Sequence, residues 1–259
     1  MKNPLRFASP PVVEVACGTL FHALPKLRIA HIGIFWQLVR GAFPMADEAP
    51  PLIDVAGLGP GSVELPFGGM SMARTWLRSA DDTALIQLQR DRFVYNWKGS
   101  SNGKPYPSYD RVIAEFEKYL SLFEEFIERE ELGALNMRQL ELTYVNHIPL
   151  NSLEPGESVL IDHRREATER RFLPEPSGFT WATSYQLPND AGELSVIAQN
   201  ARALTGGEPL IKLDLSARGL NEAGTNLRNW FDLAHTWITS GFVDITSQTA
   251  QQKSWGRRS

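Results

Sequence analysis

Residues 83–98 read TALIQLQRDRFVYNWK. Phe93, Tyr95 and Trp97 alternate with Arg92, Val94 and Asn96, the period-two pattern of a strand with two unlike faces. Thr83–Gln89 predicts a preceding strand, and Arg90-Asp91 supplies the tight corner between the two, with Asp91 capping nearby backbone N–H groups. A third strand, Ser71–Ser79, comes before them across Asp81-Asp82. Three strands joined by short turns predict an antiparallel sheet. The alternation puts the aromatic set under a helix and leaves Gln87, Gln89, Arg92 and Asn96 on a solvent-facing surface. A one-residue slip of the hairpin would exchange the faces and turn the aromatic side chains into a stacking platform for bases.

Working upstream, Val12–Leu20 predicts a strand with Val13, Val15 and Cys17 on one face. A helix over Ile29–Phe43 follows, its stripe formed by Ile32, Phe35, Trp36, Val39 and Phe43 and its end set by Pro44. The proline- and glycine-rich residues 44–69 predict a long loop. Downstream, Ser108 predicts the N-cap of a helix that reaches about Leu132 and stops at Gly133. The second half runs similarly: a strand Leu135–Ile148, a polar segment 151–172, strands Phe179–Leu187, Glu193–Ala201 and Pro209–Ala217, and a helix Ala223–Ile238. A short helix over Ser247–Trp255 closes the chain. The order strand, helix, three strands, helix thus occurs twice. It predicts an α+β fold with a mainly antiparallel, curved sheet packed under two long helices. The chain is expected to form one compact unit over 1–259, with pseudo-repeat halves 1–132 and 133–259.

Composition narrows the function classes. The 259 residues are 42% hydrophobic and 22% charged, which excludes disordered, collagen-like and coiled-coil chains. A net charge of −4 argues against a nucleic-acid coat, whose basic footprint should dominate. The single cysteine, Cys17, rules out an internal disulfide and a cysteine-based zinc site. No apolar run suits a signal peptide or a membrane span, so a cytoplasmic location is expected.

Several blocks stand out in order along the chain: PPVVEV at 10–15, HIGIFW at 31–36, QLQRDRF at 87–93 with NWK at 96–98, YPSY at 106–109, LTYVNHI at 142–148 and WGR at 255–257. This set resembles a sporadically distributed bacterial family of uncharacterised proteins of about 260 residues, and the resemblance spans essentially the whole chain. It implies no particular chemistry. Patchy distribution implies genes that move horizontally, as those of defence or toxin-neutralising modules do.

Motif by motif, the chemistry is sparse. There is no P-loop, and Gly57-Leu58-Gly59-Pro60-Gly61 lacks the lysine that a phosphate cradle needs. None of His22, His31, His147, His163 and His235 pairs with another ligand at metal spacing. Asp162-His163 sits among Arg164, Arg165, Arg170 and Arg171, a charged segment that opposes cations. No Gly-x-Ser-x-Gly elbow occurs, and Cys17 on an apolar strand face predicts an inert thiol. No cofactor, metal or catalytic residue is therefore assigned. Two polar groups remain as candidates for binding a ligand or partner: Gln87, Gln89, Arg90, Asp91, Arg92 and Asn96 at the hairpin, and Tyr144, Asn146 and His147 at the end of a long strand.

The first expectation is a non-enzymatic binding module with a protein partner, no membrane, and nucleic acid as the less favoured partner. The alternative is a divergent enzyme acting on a nucleotide or nucleic acid, with Arg90, Asp91, Arg92, Asn146 and His147 converging in one site. It requires the two strand ends to meet in space. A small-molecule pocket between sheet and helix is a third option.

Overall fold

The computed structural model describes residues 6–52, 73–99, 105–150, 178–203, 206–221 and 226–258. In chain order the first elements are β1 (Arg6–Phe7), β2 (Val12–Phe21), α1 (Ile29–Val39), β3 (Met45–Ala49), β4 (Arg74–Arg78), β5 (Ala84–Gln89) and β6 (Arg92–Lys98). They are followed by α2 (Tyr109–Arg129), β7 (Met137–Pro149), β8 (Thr180–Gln186), β9 (Glu193–Arg202), β10 (Pro209–Leu220), α3 (Leu227–Ile245) and β11 (Arg257–Arg258). The fold is α+β. Nine strands form one curved, unclosed antiparallel sheet in the order β3-β4-β5-β6-β2-β7-β10-β9-β8. The remaining two strands, β1 and β11, pair with each other.

The β6 alternation has its physical basis in this sheet. Phe93 lies 6.1 Å from Phe116 and 5.4 Å from Phe123 of α2, ring centre to ring centre, and Tyr95 stacks on Tyr119 at 6.0 Å. One face of α2 buries Val112, Phe116, Leu120, Phe123 and Ile127, and burial of each large apolar side chain contributes about 1.5–3 kcal/mol. Phe116 also meets Phe231 at 5.1 Å, joining α2 to α3. Phe35 of α1 touches Phe123 and Phe126, so α1 packs on the same side. The opposite side of the sheet carries no helix among the described residues.

Several boundaries differ from expectation. The 44–69 stretch is not all loop, because Met45–Ala49 forms the edge strand β3 against β4; the glycine-rich 57–61 segment lies outside the described residues, as does the Asp162–Arg171 cluster. Ser108 holds the N-cap position, but with φ at 135° its side chain makes no capping bond. Asn226 does cap α3, accepting from the Asn229 N–H at 2.9 Å. That helix continues past Ile238 through Thr239, Ser240 and Gly241, weak helix formers that suggest a stop. Packing overrides propensity there: Phe242 sits 5.7 Å from Phe7 and 5.1 Å from Trp255. Trp255 is buried, so the chain end docks on the body, and Arg257 donates to Gln251 at 2.7 Å.

Gly219 is sterically required. A Cβ on Gly219 would stand 2.1 Å from the Ala191 carbonyl oxygen and 2.4 Å from the Trp230 Nε1. That gap lets the Trp230 indole donate to the Ala191 carbonyl at 2.8 Å.

Candidate functional site

In antiparallel strands, residues directly opposite share a face. Asn96 stands opposite Leu85 on β5 and Ala16 on β2, and Arg92 stands opposite Gln89 and Leu20. Gln87, Gln89, Arg92 and Asn96 therefore share the helix-free face, away from Phe93, Tyr95 and Trp97. They are not solvent-facing as expected, since Asn96 is 2% exposed, Gln89 5% and Arg92 9%. Cross-strand neighbours on the same face bond Gln87 and Asn96.

Those neighbours form a continuous line of hydrogen bonds across four strands. Arg74 and Trp76 of β4 both donate to the Gln87 carbonyl oxygen, at 2.9 and 3.1 Å. The Gln87 amide donates to Asn96 at 2.7 Å, and Asn96 donates in turn to the Glu14 carboxylate on β2. A bulge sets the last member. Val12 stands opposite Asn146 and Glu14 opposite Val145, so Val13 is the extra residue, and Glu14 keeps to the helix-free face.

Burial raises the Glu14 pKa, opposed by the Asn96 hydrogen bond and by the charges of Lys98 and Lys212. Lys212 and Asp214 on β10 pair at 2.7 Å, and His147 lies opposite Lys212 on the same face. Burial and the Lys212 charge hold His147 below its ordinary value, so it favours neutral imidazole. Two lysines beside these carboxylates make the locus unsuited to a cation. Among the described residues, no three His, Cys, Asp or Glu side chains gather as a metal would require.

The Arg90-Asp91 corner does a different job from the one its sequence suggests. Its carbonyls accept from the N–H groups of Leu24 and Phe21, both at 2.9 Å. Among the described residues the Asp91 carboxylate takes no backbone N–H; it accepts from the Gln89 amide at 3.1 Å. Gln89 also exchanges two bonds with the Leu52 backbone, at 2.9 and 3.0 Å.

Tyr144 and Asn146 point the other way, beneath the helices. Asn146 donates to the Leu213 carbonyl at 3.1 Å. The Tyr144 hydroxyl bonds Tyr106 at 2.9 Å and His235 Nδ1 at 3.0 Å. Tyr109 stacks flat on His235, 4.0 Å between ring centres, and donates to Asp232 at 2.8 Å. Burial lowers the His235 pKa to about 4 and raises that of Tyr144. Tyr106, Tyr109 and His235 were not among the expected site residues; the signals were the YPSY block at 106–109 and a histidine four residues past Phe231 on the apolar stripe of a helix.

The two candidate groups do not converge. Leu20 stands opposite both Arg92 and Gln139, so Arg92 is level with Gln139 on β7. His147 lies eight positions further along that strand, about 26 Å at ~3.3 Å per residue. Asp91 and His147 thus occupy opposite ends of the sheet, and the convergent constellation of Arg90, Asp91, Arg92, Asn146 and His147 does not form. Cys17 is fully buried and its thiol pKa is pushed up by burial, in keeping with an inert side chain.

No family model, no curated protein and no solved structure matches the chain. No helix among the described residues is long and apolar enough to cross a membrane.

Proposed function

We propose that the chain is a binding module and that the helix-free face of its sheet is the recognition surface for a protein partner. The observation that carries this is the hydrogen-bonded line from Arg74 through Gln87 and Asn96 to Glu14, which fixes polar side chains in place before any partner arrives. Further polar pairs extend the face: Thr143 with Ser216 at 2.9 Å, Arg218 with Glu141 at 3.2 Å, and Ser184 with Ser195 at 3.3 Å.

Our reading includes a pseudo-repeat. Each half would contribute its first strand to the sheet centre, its last strand beside it and the others outward: β2, β6, β5, β4 on one side and β7, β10, β9, β8 on the other. A bacterial origin, a cytoplasmic setting and a place in a mobile defence or toxin-neutralising system rest on the family resemblance alone.

The test is capture of partners from the native host with three tagged variants. Lys98→Glu and Lys212→Glu change the helix-free face, and Glu125→Lys changes the exposed side of α2. A partner retained by Glu125→Lys and lost by both lysine variants supports the assignment. A partner retained by both lysine variants, or lost only with Glu125→Lys, overturns it.

A further inference from the structure

On the helix-free face, buried polar atoms without a partner include Asp214 Oδ1 at one end and arginine Nε groups at the other. Arg92 is 9% exposed, and among the described residues its guanidinium makes no hydrogen bond or ion pair. The Nε groups of Arg74 and Arg90 are likewise buried with no partner. Thr75 stands opposite Leu88, which brings Arg74 opposite Gln89, and Gln89 stands opposite Arg92. Arg74, Gln89 and Arg92 therefore form one cross-strand row with a guanidinium at each end.

One end and the middle of the row are held in place. Arg74 donates through Nη1 to Gln87 and lies 5.3 Å over the Trp76 ring. Gln89 is fixed by Leu52 and Asp91. Asp91 is engaged by the Gln89 amide and, among the described residues, bridges neither arginine. An unpaired buried cation is costly, and a guanidinium presents its N–H groups in a fork that matches a planar or tetrahedral oxyanion. Burial first, and the charge of Arg92 second, lower the pKa of Arg74, and a bound negative charge would counter that repulsion.

We infer that the Arg74–Gln89–Arg92 row is an anion site that takes a carboxylate or phosphate group. This rests on the recognition-surface assignment above and names the chemistry at one end of that surface. The group would arrive either on a partner's acidic side chain or as free phosphate, and the two have the same fork to satisfy.

The experiment is a thermal-denaturation titration of the full chain at fixed ionic strength, with inorganic phosphate in one arm and acetate in the other. Chloride balances both. The Arg Nε–H resonances of isotope-labelled protein are followed in parallel. A saturable rise in Tm, with shifted Arg92 and Arg74 Nε–H signals, is the expected result, and Arg92→Met weakens the apparent affinity about tenfold. A response to phosphate alone points to free phosphate, and a response to both anions to an acidic side chain. Equal responses in wild type and Arg92→Met overturn the site, as does the lack of any saturable response. If Arg92→Met does not fold, the wild-type Nε–H shifts decide. The lysine variants act on partner capture and not on this row, so anion binding without their effect sinks the recognition surface and leaves the anion site standing.

Discussion

Two polar networks lie back to back on the central strands, and they behave in opposite ways. On the helix-free face, Asn96 and Gln87 link the Glu14 carboxyl to Arg74; Lys212 and Asp214 pair nearby, and the buried Nε groups of Arg74 and Arg92 have no partner. Beneath the helices, Tyr106, Tyr144 and His235 are joined hydroxyl to hydroxyl to imidazole, with rings stacked around them. Burial acts on both but with different chemical results. It raises a carboxyl on one face and lowers an imidazole on the other, so each group is driven toward its neutral form. One network is closed and neutral at physiological pH. The other retains charges and open donors, which is the difference between a structural cluster and a surface prepared for a partner.

The sharpest way to break this contrast is pH. His235 has a folded pKa of about 4 against an ordinary 6.5. Between those values the unfolded chain takes up a proton that the folded one refuses, so stability is full above pH 6.5 and falls as pH drops toward 4. The loss approaches about 3 kcal/mol. Glu14 works in reverse: with its pKa raised, its cost is absent below the ordinary carboxylate range and grows as pH rises through the raised value. Urea unfolding from about pH 7 to about pH 4 should therefore show a shallower acid loss in His235→Asn, and a gain near neutrality in Glu14→Gln. His147→Asn is the control, because its imidazole is also held low. An acid slope that survives in His235→Asn and vanishes in His147→Asn would move the acid-sensitive group to the wrong face.

The second prediction concerns the link that joins the charged line. Asn96→Ala removes the acceptor of Gln87 and the donor to Glu14 together, in a site 2% exposed. Stability should fall by about 2 kcal/mol, since buried partners are left unmet. The Asn96 hydrogen bond is also one of the influences that lower the Glu14 pKa. Its loss should push that pKa higher still, which NMR titration of the Glu14 carboxyl would detect. A fall below about 0.5 kcal/mol, typical of an unremarkable surface change, would mean the line is incidental.

How much of this was legible beforehand follows from what period two can and cannot carry. Phe93, Tyr95 and Trp97 against Arg92 and Asn96 separate cleanly, because the strand lies between a packed helix and a polar face, and each side selects its own residues. The same rule applied to Tyr144, Asn146 and His147 already separates His147 from the other two. Treating the three as one rim group passed over that parity. That Gln87 and Asn96 share a face was readable from the hairpin. The Glu14 partner of Asn96 and the nearby Lys212 and Asp214 were not, because they come from β2 and β10, whose places depend on a strand order with long connections. The β3 edge strand was hidden for a related reason. MADEA has little β propensity, and pairing with β4 alone makes it a strand.

The mildest perturbation separates two causes within the covered cluster. Tyr144→Phe keeps the ring packed and removes only the hydroxyl, leaving the Tyr106 hydroxyl and the His235 Nδ1 each short of a partner. No cavity forms, so the loss should be near 1 kcal/mol, smaller than for Asn96→Ala. The acid slope should stay as in wild type. Burial is the foremost cause that holds His235 neutral, and the carboxylates Asp110 and Asp232 act against it. The tyrosine hydroxyl therefore orients the imidazole without setting its protonation. If the slope of stability against pH flattens in Tyr144→Phe, the hydrogen bond itself keeps the proton off, and the covered network is as electrostatically tuned as the one on the opposite face.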